Sequence, residues 1–134
     1  MRVFPTLRLT LATSLVALLG ACAAPGGDPG LSLEERLDKG GWRIGESVER
    51  IPGFGVSGWS YLDERHMQVA SGPGQEYLLT FSMPCRDLQT ARSVGHTSTL
   101  GSLSRLDSVV ASGLMGPMRC PIRAIHKLER AATS

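Results

Sequence analysis

The sequence predicts a mainly β fold: a small antiparallel β-barrel or sandwich of about six strands with one or two short helices. Three observations predict it. Apolar side chains alternate with period two from Val48 onward. Turn signals punctuate the chain at short intervals, Gly72-Pro73-Gly74 the strongest of them. Helical spacing is confined to two brief stretches, after Ser32 and from Cys85 to Arg92. Many short strands joined by Gly- and Pro-bearing turns belong to barrels and sandwiches.

The first stretch of the chain reads as a leader in three parts. Arg2 and Arg8 supply positive charge, Leu9–Leu19 form an apolar core of 11 residues, and Gly20-Ala21 stand before Cys22. A spanning helix needs roughly 20 apolar residues, so this core is too short to be a permanent anchor. Leu18-Leu19-Gly20-Ala21-Cys22 is the pattern at which a bacterial lipoprotein signal peptidase cuts. Residues 1–21 are therefore expected to leave as a signal peptide, and Cys22 to carry the lipid. The alternative is an ordinary secretory leader with an incidental cysteine. Ala23, rather than Asp, follows Cys22. By analogy with enterobacterial sorting, this sends the protein to the outer membrane, facing the periplasm.

Residues 22–31 read as the lipidated tether. Ala23–Gly30 holds three Gly and two Pro in eight residues, a composition that packs into no element. The chain has 14 basic and 12 acidic side chains, and losing Arg2 and Arg8 leaves 12 of each. A near-neutral chain without a basic stripe argues against a nucleic-acid partner.

Residues 32–134 form the predicted domain. Ser32 is a good N-cap and Glu35, three residues on, completes a capping box. Leu33 and Leu37 share a face of this helix, and Gly40-Gly41 ends it. Phe54 to Leu62 reads as a strand whose phase shifts at Gly58, from Phe54 and Val56 to Trp59 and Tyr61, which predicts a bulge there. Asp63-Glu64 turns into a strand carrying Met67 and Val69, which pairs as a hairpin with Tyr77–Phe81. Tyr77, Leu79 and Phe81 face one way, Leu78 and Thr80 the other. Pro84 opens the short helix Cys85–Arg92. Strands are expected at Val94–Leu100 and Leu103–Ala111, turned by Gly101-Ser102. Beyond a glycine-bearing loop at Ser112–Pro117, Cys120 opens a last strand with Ile122, Ala124 and Leu128 on one side.

Cys85 and Cys120 remain once Cys22 is lipidated. Outside the cytoplasm an even pair in a small domain reads most simply as a disulfide. Two free thiols or a metal pair are the alternatives.

Gly58-Trp59, Leu62-Asp63-Glu64-Arg65-His66, Gly72-Pro73-Gly74, Tyr77-Leu78-Leu79-Thr80, Pro84-Cys85-Arg86-Asp87-Leu88 and Cys120-Pro121-Ile122-Arg123-Ala124-Ile125 occur in this order. Over residues 42–128 they resemble a family of small proteobacterial envelope lipoproteins, domain of unknown function 6491. The resemblance implies a shared fold and the disulfide, and it implies no activity.

Patterns for chemistry are weak. Gly53-Phe54-Gly55-Val56-Ser57-Gly58 matches G-x-G-x-x-G, but Pro52 precedes it and an aromatic strand follows, where a dinucleotide site needs a strand and then a helix. Gly55-Val56-Ser57-Gly58-Trp59 fails the last position of G-x-S-x-G. His66, His96 and His126 stand 30 residues apart, with no local ligand spacing, so no metal or other cofactor is assigned. Asp63-Glu64 are neighbours in a turn, where alternation points them apart. Trp59, Tyr61 and Tyr77, with Arg65 and Arg105, are the candidate binding surface, since aromatic and Arg side chains anchor interfaces. In a small barrel the same aromatics are more often core. Arg65 is expected to pair with Asp63, and Arg105 with Asp107.

The expectation is a monomeric, non-catalytic lipoprotein that touches the membrane through its anchor and binds an envelope protein or glycan. A variant of that reading is an inhibitor of an envelope hydrolase, by analogy of architecture alone. The reading from another class is a small periplasmic enzyme or metal-dependent catalyst using His66, His96 or His126.

Overall fold

A computed structural model describes residues 30–132, apart from residues 54, 56, 99 and 100. The leader, Cys22, the tether through residue 29, and Phe54, Val56 and Leu100 lie outside the described residues.

The domain is a curled antiparallel sheet, a half-barrel, with one helix laid on its outer face. Helix α1 spans Leu33–Lys39. Its capping box is present in both directions: Glu35 N–H donates to Ser32 Oγ at 3.2 Å, and Ser32 N–H donates to Glu35 Oε2 at 2.7 Å. A helix of seven residues cannot persist alone, so the cap and the docking of Leu37 must hold it. Ser32→Ala is expected to cost about 1 kcal/mol. Urea unfolding of the variant beside the parent measures it, and an unchanged midpoint would show that the cap is idle.

Strand β1, Trp42–Val48, follows, a strand the sequence reading did not foresee. Next come β2 (Arg50–Ile51), β3 (Gly58–Asp63), β4 (His66–Ala70) and β5 (Glu76–Phe81). A 3-10 turn at Arg86–Thr90 stands where a short helix was expected. Then follow β6 (Ser93–His96), β7 (Leu103–Ser104), β8 (Ser108–Gly113) and the 15-residue β9 (Gly116–Arg130). The sheet order is β3-β4-β5-β9-β8-β6, with β1 also on β9, while β2 and β7 form a separate ladder.

Cross-strand register assigns the paired side chains to faces. Trp59, Val69, Tyr77 and Lys127 form one inner row, and Tyr61, Met67, Leu79, Ile125 and Val48 form the next. Those rows, with Phe81, Leu88, Val109, Ile122 and the cysteines, make the main core. The opposite face carries Leu78 and Leu128, which meet Leu37, Trp42, Leu62 and Leu33 in a second core beneath α1. Both faces of β5 are thus buried, which is why Tyr77, Leu78 and Leu79 are all inaccessible.

Four expectations are corrected. The bulge falls between Tyr61 and Asp63, where Leu62 turns out into the second core, while Gly58 pairs regularly with Ala70. The expected strand Leu103–Ala111 breaks into β7 and β8, because Asp107 Oδ2 accepts from both the N–H and the Oγ of Ser104 at 2.7 and 2.8 Å and closes a turn. The last strand begins at Gly116 rather than Cys120. Its register slips by one residue at Arg123, so Ile122 and Ile125 share the inner core while Leu128 faces α1.

Candidate functional site

Three faces of the domain bring together residues of possible functional interest. The first is the open end of the concave face. Alternation along edge strand β3 turns Trp59 and Tyr61 inward, where both are half-buried against the main core. Across the sheet the Trp59 row ends in Lys127, whose Nζ donates to Glu46 Oε1 at 2.6 Å. One step further out, Arg43 pairs with Glu129 at 3.0 Å. The hydrogen bond and charge of Lys127 hold the Glu46 carboxyl below its usual range, and Glu46 in turn raises Lys127. The Tyr61 hydroxyl is pushed up, first by burial and then by Glu64 and Asp63. A cleft of about 290 Å³ opens beside this row, lined by Gly74, Gln75, Glu76, Tyr77, Lys127 and Leu128.

Of the predicted binding residues, Trp59 and Tyr61 share that face with Tyr77. Tyr77 itself is only 7% exposed, so it supports the surface as core more than it presents one. Arg65 sits in the β3–β4 turn, where its Nη1 reaches Ser82 O at 3.4 Å. Asp63 accepts the Arg65 backbone N–H at 2.7 Å and pairs by side chain with His66, so the expected Asp63–Arg65 side-chain pair is replaced. Arg105 pairs with Glu49 at 2.6 Å instead of Asp107, whose carboxylate is occupied by Ser104. The geometry thus unites the aromatics and leaves the two arginines at separate turns.

The second face is the outer sheet around the histidines. His66 Nδ1 lies 2.8 and 2.9 Å from the two oxygens of Asp63. His66 stands across from Thr80 and His126 across from Leu78, both on the outer face, while His96 is on β6, opposite Val109. His126 Nδ1 is buried without a hydrogen-bond partner. Among the described residues no three of His, Cys, Asp and Glu come together as a metal site. The glycine motif runs into strand β3, and Ser57 Oγ is used locally, donating to Ala70 O at 3.1 Å and accepting the Gly72 N–H at 3.4 Å. No helix follows to meet a phosphate.

The third face is a groove of about 380 Å³ between α1 and β1, lined by Glu34, Leu37, Asp38, Trp42, Arg43 and Ile44. Its floor is Trp42, over whose ring the Arg130 guanidinium sits at 4.1 Å. The sequence reading overlooked Trp42. The signal available was a tryptophan placed immediately after the Gly40-Gly41 helix stop.

Cys85 and Cys120 are bonded, Cα–Cα 5.7 Å, and both are buried. They join the start of the 3-10 turn to the middle of β9.

These features define a class: a small, disulfide-tied β half-barrel with a docked helix and an aromatic concave edge. The chain belongs to DUF6491, a family of unknown function, whose model matches residues 5–134. No curated protein and no solved structure matches it.

Proposed function

We propose that this chain is a lipoprotein of the bacterial envelope, held at the periplasmic face of the outer membrane by lipid on Cys22. Its β domain acts as a binding module for another envelope component, a protein or a glycan. The observation that supports binding is the placement of Trp59 and Tyr61 side by side on the concave face of an edge strand, each only partly buried. Large aromatics left partly uncovered are the anchors that interfaces favour. The support for anchoring is the leader pattern ending at Cys22.

Two experiments test the two halves separately. Cys22→Ser is expected to shift the protein from the membrane fraction to the soluble fraction. A variant that still tracks with membranes would remove lipidation as the anchor. Cross-linking in the native envelope is expected to yield one reproducible partner, and Trp59→Ala to weaken its capture by about 2 kcal/mol. Capture that is unaltered by both Trp59→Ala and Tyr61→Ala would sink the concave edge as the site.

A further inference from the structure

The hairpin between β8 and β9 ends in two adjacent apolar side chains. Leu114 is 78% and Met115 90% exposed, and Gly113 and Gly116 pair beneath them. Gly116 takes φ +102, the left-handed conformation that lets so tight a turn close. Turn tips ordinarily carry polar residues, so two apolar neighbours at a convex tip have no role in this domain's own packing. Such a tip has no concavity of its own to receive a rigid partner, whereas a lipid interface takes up projecting apolar side chains without a prepared pocket.

Charge around the tip points to what lies opposite. Residues 82–124 carry five arginines, Arg86, Arg92, Arg105, Arg119 and Arg123, against Asp87 and Asp107. The other nine Asp and Glu residues of the described chain lie outside this stretch. Arg105 is paired with Glu49, but Arg86, Arg92, Arg119 and Arg123 are exposed and form no ion pair among the described residues. Three of these four lie on the hairpin or on the backbone segment packed against it. The Arg92 N–H donates to Ser112 O at 2.9 Å, one residue from Gly113. Arg119 stands across from Val110, three residues up β9 from Gly116. Arg86 heads the 3-10 turn, whose Thr90 and Asp87 carbonyls approach within 3.9 and 4.0 Å of where Gly113 would carry a Cβ.

We infer that the Leu114-Met115 tip and the arginines around it dock the domain onto an anionic phospholipid surface. The tip enters the interface and Arg86, Arg92 and Arg119 meet headgroup phosphates. The inference rests on the proposed residence at a membrane, and it adds a second point of contact that fixes the domain's orientation on the leaflet.

The test uses the full chain, extracted from cells and reconstituted with vesicles of brominated phosphatidylcholine, with or without phosphatidylglycerol. A tryptophan introduced as Met115→Trp is expected to be quenched on vesicles containing phosphatidylglycerol. Adding Arg92→Glu and Arg119→Glu should lower that association at least about fivefold for each arginine replaced, and raised salt should weaken it further. Leu106→Trp is the control, since Leu106 is 92% exposed but lies at the opposite end of β8. Quenching at Met115→Trp no greater than at Leu106→Trp, or equal with and without phosphatidylglycerol, would overturn the inference. So would a tip that cross-links to an acidic protein while remaining unquenched. Flotation with neutral vesicles reads the Cys22 lipid independently. A chain that fails to float there but is quenched at residue 115 on anionic vesicles would overturn the anchor and uphold the tip.

Discussion

Replacing Cys85 and Cys120 together by alanine is expected to lower stability by about 3–4 kcal/mol in the chain-entropy account. The bridge spans a sequence separation of 35, so its loss frees a long loop in the unfolded chain. It is also the direct covalent link from the 3-10 turn to β9, and both cysteines are at most 1% exposed. For a domain whose total stability is of order 5–15 kcal/mol, that is a large fraction. Urea unfolding of the double variant against the oxidised parent gives the number. A difference under about 1 kcal/mol would mean that packing alone holds these elements. Non-reducing mass spectrometry should show one peptide joining residues 85 and 120, and two alkylatable thiols would contradict the bond.

Phe81→Ala is expected to cost about 3–5 kcal/mol, the range for emptying a fully buried aromatic site. Phe81 is fully buried, and it closes the inner rows against Ile122 at the point where the β5–β9 register shifts. Its backbone N–H also donates to Arg65 O at 2.8 Å, which ties the β3–β4 turn to the end of β5. Collapse around the gap is hindered on that side, because backbone hydrogen bonds fix the turn in place. The control is Leu114→Ala, at an exposed tip, where a change within about 0.5 kcal/mol is expected. Equal effects at the two positions would refute the assignment of Phe81 to the core.

What could be read from residues alone follows a physical line. Local signals were legible. Ser32 with Glu35, the Gly40-Gly41 stop and the Gly72-Pro73-Gly74 turn each act within a few residues, and each lies where the sequence places it. The face assignment of Tyr77, Leu79 and Phe81 against Leu78 was legible for the same reason. Strand β1 was not, because a bulge between Ile44 and Ser47 moves it from the outer core to the inner one and scrambles its alternation. The slip at Arg123 misled the reading of β9 in the same way. At the candidate site, Trp59 and Tyr61 were legible as a pair. The ion pairs at the far end of the same rows were not: Lys127 meets Glu46, and Arg43 meets Glu129, across more than 80 residues, and no local pattern announces such a partner. The polar partners of Arg65 and Arg105 were misjudged because turns choose by backbone geometry, and nearest opposite charge is a poor guide there.

Strand β9 borders β1, β5 and β8, and it contributes to both cores. Trp42 therefore waits for Arg130, its register partner near the far end of the described chain, before the core beneath α1 can shut. A polypeptide emerging N-terminus first would expose Leu37, Trp42 and Leu78 until nearly all of it was available. Slow, end-dependent closure of this kind leaves a window in which a chaperone has something apolar to hold.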